Sequence, residues 1–131
     1  KVIEVDKMIS NVSDIIYPAL TGEAILTIAS AIDEMVDEVS GVISIGPFGC
    51  MPSRIAEAII GCKINDKKMT TSHDLMLTQK VMEKHPSLPF LPIETDGNVF
   101  PQIIEARLET FCLQVERLHN TIQTTKGEVI S

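Results

Sequence analysis

A chain of 131 residues with 44% hydrophobic side chains is sized for one packed core, and disordered chains do not reach that fraction. Its formal charge is −7, and its eleven basic residues are scattered. That balance excludes the concentrated cationic face needed by nucleic acid or an anionic membrane surface, so neither is expected as a partner.

No run reaches the ~18 uninterrupted apolar residues of a spanning helix, and no basic-then-apolar signal peptide opens the chain. Three cysteines without C-x-x-C spacing argue against a disulfide framework and for a reducing, cytoplasmic setting. The chain opens on Lys1, not Met, inside what reads as an element. The expectation is that residues 1–131 form a single α/β domain cut from a longer protein.

Val2-Ile3-Glu4-Val5 alternates like a strand, whereas Met8, Val12, Ile15 and Ile16 have helical spacing. The second pattern predicts a helix from Asp6 to Ile16, with Pro18 closing the segment. A stronger helix begins at Thr21-Gly22-Glu23. Its stripe is Ile25, Ile28/Ala29, Ile32, Met35/Val36 and Val39, with Asp33, Glu34, Asp37 and Glu38 opposite as a solvated face. Gly41 is read as its end.

Val42 to Ile45 reads as a short, fully buried parallel strand. Gly46-Pro47 stops it, and Cys50 follows in a tight loop. Pro52 suits the first turn of the next helix, with Ile55, Ala56, Ile59 and Ile60 inward and Gly61 as its stop. Asn65-Asp66-Lys67-Lys68 is then a polar loop. Ser72 caps a helix through Lys84, carrying Leu75, Met76, Gln79 and Met82, and His85-Pro86 breaks it.

Pro89 to Glu94 is the second strand, and its two prolines suggest that it is short or lies near a sheet edge. Thr95-Asp96-Gly97 is a loop, and Asn98 caps a long final helix with Ile104, Leu108, Phe111, Val115 and Leu118 on one stripe. A polar, frayed tail is expected over 121–131. The order gives a βαβ unit: an α/β fold with a small parallel sheet, flanking helices and a long C-terminal helix. So small a sheet suggests a domain with neighbours.

The loops after both strands of such a unit emerge on one sheet edge. One carries Phe48, Gly49, Cys50 and Ser53; the other carries Glu94, Thr95 and Asp96. Helix N-termini there present free N–H groups and favour thiolate over thiol, the form that binds metal or attacks carbon. Gly46 and Gly49 let the chain turn sharply. Cys50 is thus a ligand, a nucleophile or a small buried side chain, and the residues alone leave the three open.

Glu94 and Asp96 suit capping as well as a direct role. Cys112 falls on the apolar side of the last helix and reads as core, and Cys62 reads as a loop residue. His73, His85 and His119 lack metal spacing and read as surface or capping residues. No G-x-G-x-x-G, P-loop or G-x-S-x-G motif is present. Cys50 and Arg54 are too close for a C-x5-R phosphatase loop. A lone cysteine nucleophile would also lack a histidine base in these loops.

Pro47-Phe48-Gly49-Cys50-Met51-Pro52-Ser53 resembles the PFGC(M/L)P segment of the 2-hydroxyacyl-CoA dehydratase D-component family, which includes CoA-substrate-specific enzyme activases and dehydratase-related proteins. Leu88 to Gly97 is similar to that family's strand and E/D-x-D-G loop, Arg107-Leu108-Glu109-Thr110-Phe111 to its RLEAF helix, and Leu20-Thr21-Gly22-Glu23 to its L-x-GE helix start. These motifs span most of Leu20 to Leu118, although Cys62 to His85 matches nothing in the pattern.

The resemblance implies a flavodoxin-like domain from the C-terminal end of a larger protein. In the family, cysteines from several domains hold a [4Fe–4S] or double-cubane cluster fed with low-potential electrons by an ATP-driven activator. Cys50 carries over as a cluster thiolate, with Gly49 and Ser53 beside it as cofactor-binding residues and Glu94 and Asp96 as contributors from the second loop. A cubane needs about three or four ligands, so the domain alone should bind no cluster and show no activity. Its implied partners are other domains of the same polypeptide, or a dehydratase or activator subunit. The rival reading is a docking module in which Cys50 is structural.

Overall fold

The computed structural model describes residues 4–17, 23–95 and 101–130. The elements run α1 (Val5–Val12), α2 (Glu23–Glu34), β1 (Val42–Pro47), α3 (Met51–Thr71), α4 (Leu75–Lys84), β2 (Phe90–Thr95) and α5 (Pro101–Ile130). This is a mixed α/β fold with a two-stranded parallel sheet and a long last helix, as the alternating patterns predict. Pro18, Leu20, Thr21, Gly22, Asp96, Gly97 and Asn98 lie outside the described residues.

The main core gathers α1 through α4 and the middle of α5 around Ile28, Ile32, Met35, Ile60, Val81 and Leu118. Within it α2 packs most extensively on α3. α1 is shorter than predicted. The Ser13 amide and hydroxyl both donate to Ser10 O, at 3.3 and 2.9 Å, and the chain turns there with Ile16 still buried.

α2 ends at Glu34 and not near Val39, and α3 runs through Gly61 and the expected 65–68 loop to Thr71. One residue accounts for both corrections. Ala56, Ile60, Ile64 and Lys68 follow each other at four-residue spacing on the buried face of α3, and Lys68 is fully buried. Its Nζ donates to Ile32 O at 3.0 Å, Asp33 O at 2.9 Å and Asp37 Oδ2 at 2.6 Å. Three donors thus meet three acceptors, two of them carbonyls that the end of α2 leaves free.

The chain then reverses through Val36 at φ 72°, with Val36 N bonded to Val39 O, so Met35 and Val36 stay in the core without continuing the helix. Gly61 is tolerated because it faces open space. Gly41 has a different task from the helix stop predicted for it. A Cβ there would lie 2.5 Å from Val115 Cγ2 and 2.8 Å from Phe111 Cζ, so its bareness lets α5 approach.

Asp74, and not Ser72, caps α4: its Oδ1 accepts from Leu77 N at 2.9 Å. Ser72 instead closes α3 and bonds Asp37 and Thr78. Asp74→Ala should therefore cost about 1 kcal/mol by urea denaturation, whereas a cap at Ser72 would leave that substitution neutral. The predicted polar tail continues α5 to Ile130, with Ile122 and Thr125 buried.

In the sheet, Ile43 pairs with Leu91 and Ile45 with Ile93. α5 covers this face over β2, where Leu91, Ile93 and Phe111 form a second cluster. α3 packs on the other face, with Ser53 over Gly46. Val42 N donates to Pro89 O and Phe48 N to Thr95 O, so by alternation the amides and carbonyls of Ile43 and Ile45 point away from β2.

β1 is not the fully buried strand predicted. Its outer edge has no described strand beside it, and Ile43 and Ile45 are 42% and 69% exposed. The outer edge of β2 is closed differently. By the same alternation Pro92, which has no N–H, points outward there, and its carbonyl accepts from Arg107 Nη2 at 2.6 Å.

Candidate functional site

The carboxyl ends of both parallel strands lie side by side, with Gly46 paired to Glu94 and Pro47 to Thr95, as the βαβ order predicts; the loop after β2 lies outside the described residues. After β1 the chain turns through Pro47-Phe48-Gly49-Cys50, closed by Cys50 N donating to Pro47 O at 3.1 Å. Gly49 sits at φ +71°, a backbone region that side chains with a Cβ rarely adopt. Cys50 then takes the N-cap position of α3, its carbonyl accepting from Arg54 N at 3.0 Å. Its thiol makes no capping bond, and the residue is half-buried.

Glu94 arrives from the end of β2 and ties that strand to the turn after β1. Its Oε1 accepts from Gly49 N at 3.3 Å and from Arg54 Nε at 3.2 Å. This carboxylate therefore fixes the Cys50 turn, which is the capping alternative for Glu94. Ser53 lies over Gly46, where an added Cβ would sit 2.6 Å from its Oγ. Asp96 is outside the described residues.

The other cysteines are not brought to this site. Cys62 lies on α3 and not in a loop, and it is exposed. Cys112 is exposed as well, a correction to its core reading: the buried stripe of α5 runs through Phe111, Leu118 and Ile122 and passes Cys112 by. His73 bonds Asp37, His85 contacts Thr121 Oγ1 at 2.7 Å, and His119 contacts Ser40 Oγ at 3.2 Å. Among the described residues no group of three His, Cys, Asp or Glu is placed to hold a metal ion.

The sequence reading missed two participants, Glu57 and Arg107. With Phe48, Arg54, Pro92 and Glu94 they line a polar cavity of about 300 Å³ beside the Cys50 turn. Glu57 Oε2 is 3.6 Å from Arg54 Nη1, while its Oε1 is buried with no hydrogen-bond partner. Leaving such an acceptor unmet costs about 1–3 kcal/mol. The spacing of Arg54 and Glu57, three apart on one helix, was the available signal.

Fold and site together define an α/β domain that presents one thiol at the carboxyl end of a small parallel sheet. No protein-family model matches the chain, and no curated protein or solved structure matches it significantly. No helix among the described residues is long and apolar enough to cross a membrane.

Proposed function

We propose that this chain is the α/β domain of a 2-hydroxyacyl-CoA dehydratase-related iron–sulfur protein, supplying Cys50 as one thiolate of a cluster site that a neighbour completes. The observation that carries this reading is the surface in which the thiol is set. Along β1 and the turn after it, Ile43, Ile45, Phe48 and Met51 are 42%, 69%, 75% and 72% exposed. Exposed apolar surface of this kind marks a face that another protein surface covers. A cubane takes about four thiolates, and here one thiol, free of any capping bond, stands beside that face.

The described residues fit one ligand of such a cluster and no more. When bound, the cluster supplies low-potential one-electron transfer. This chain's own residues hold the thiol: Gly49 makes the turn, Pro47 O fixes the Cys50 amide, and Glu94 pins the Gly49 amide. The outward amides and carbonyls of Ile43 and Ile45 offer the neighbour a strand edge to pair with. That neighbour is another domain of the same polypeptide, or a dehydratase or activator subunit.

The test is anaerobic reconstitution with iron and sulfide, comparing wild type with Cys50→Ser in the polypeptide that joins this domain to its neighbours. Iron and sulfide should fall in the variant, and the 131-residue chain alone should stay at background. Unchanged iron in Cys50→Ser overturns the assignment. The same exposed surface also suits the docking-module reading, in which Cys50 is structural. That reading predicts that Cys50 is alkylated far more slowly than the exposed Cys62 and Cys112, and rapid modification of Cys50 at mildly acidic pH counts against it.

A further inference from the structure

A larger cavity, of about 560 Å³, opens between β2 and the first half of α5, on the strand away from the open edge of β1. Phe90, Leu91, Ile103, Ala106 and Phe111 give it an apolar lining. Leu91 and Phe111 are buried members of the second cluster, which holds them in place, whereas Ile103 is 61% exposed. Small-molecule sites are concavities of this size, mostly apolar and aromatic, with a few polar groups that orient the ligand.

The wall carries charge of one sign. Among the described residues Arg107 is its one ionisable side chain, and its other polar members are two glutamines and a threonine. The chain has eighteen acidic residues, and none of them lines this cavity. Arg107 Nη2 donates to Pro92 O at 2.6 Å, which fixes the guanidinium against the strand while the residue stays exposed. An apolar trough thus ends at a positioned cation on its water side.

We propose that this cavity binds an aliphatic carboxylate, its chain laid on Phe90, Leu91, Ile103 and Phe111 and its head accepting from Arg107. The chain loses water to the apolar lining, and the carboxylate meets the guanidinium at the exposed mouth, where it keeps part of its own hydration. A peptide strand is the poorer occupant, because Pro92 has no N–H and its carbonyl is taken, so a ladder on this edge stops after Phe90. A second copy is poorer as well. A two-fold interface sets the same wall against itself, and this wall would oppose cation to cation. Neither Cys50 nor the open edge of β1 takes part, so this proposal stands or falls apart from the cluster.

The experiment is an amide-shift NMR titration of the 131-residue chain with octanoate, 1-octanol and octylammonium, which share a chain and differ in charge, and with the shorter butanoate. Octanoate should shift the Ala106 and Thr110 amides saturably. It should bind about tenfold more tightly than octanol or butanoate, with octylammonium weakest. Arg107→Gln should lower octanoate to the affinity of octanol and leave octanol unchanged. Ala106→Phe, at an exposed helix position, should fill the trough and abolish binding of both. Octylammonium as tight as octanoate, butanoate as tight as octanoate, or no saturable shift overturns the proposal from the wild-type chain alone. Octanoate binding that survives both substitutions overturns the assigned site. A wild-type dimer in sedimentation that Ala106→Phe dissolves gives the trough to a second copy and overturns it too.

Discussion

Replacing Lys68 with methionine is expected to lower stability by about 3–5 kcal/mol, measured by urea denaturation. Methionine fills most of the aliphatic stem, so little of the loss comes from a cavity. The loss comes from the three acceptors left behind. Ile32 O and Asp33 O lose their partner at the end of α2, and Asp37 keeps a charge in a largely buried place without its ammonium. Lys67→Met, one position away, should change stability far less, because its partner Asp14 is mostly exposed and solvent screens the pair. Similar effects at both positions would mean that water replaces the Lys68 ammonium.

The pH dependence carries a definite sign. Burial acts to raise the Asp37 pKa, but bonding and charge from Lys68, with bonds from His73 and Ser72, outweigh it and hold the carboxyl below its usual value. A depressed folded-state pKa contributes stability that is present above the unfolded value, about 3.9, and is lost as pH falls through the folded value. The gap between wild type and Lys68→Met should therefore narrow below about pH 4. A gap that stays constant down to strongly acidic pH would remove Asp37 from the account.

Lys68 also shows where the sequence stopped being legible. Periodicity located five helices and both strands, because apolar spacing reports which face meets the core. It read Asn65 to Lys68 as a loop because a lysine in sequence looks solvated. The carbonyls that bury it lie more than thirty residues away on α2. The end of α2 was misplaced for the same reason: the apolar residues Met35, Val36 and Val39 continue the stripe after the backbone has turned.

The site was legible in the same measure. Strand, glycine turn and helix start put Cys50 where it is found, and the βαβ order brought Glu94 to it. For Glu57 the chain offered only its three-residue spacing from Arg54, and for Arg107 nothing, since a cavity wall drawn from α3, β2 and α5 is assembled from distant segments. Pro92 was informative because a missing N–H is a local fact that constrains a distant one, the outer edge of the sheet.

Ile60→Ala is the second large effect, a loss of about 2–5 kcal/mol in the same denaturation measurement. Ile60 is fully buried on α3 within the core shared with α2, and a truncated side chain there leaves a cavity that two tightly packed helices cannot close. Ile45→Asp gives the contrasting result. Ile45 is an isoleucine of the same size in a regular strand, yet its side chain is mostly in solvent, and the free chain should lose about 0.5 kcal/mol or less. Its effect should appear only with the neighbour present, as lost association or lost iron, because a carboxylate would then be buried unpaired beside the open edge of β1. If Ile45→Asp instead destabilises the chain alone as much as Ile60→Ala does, β1 is covered within this chain and the open edge that the proposed function requires does not exist.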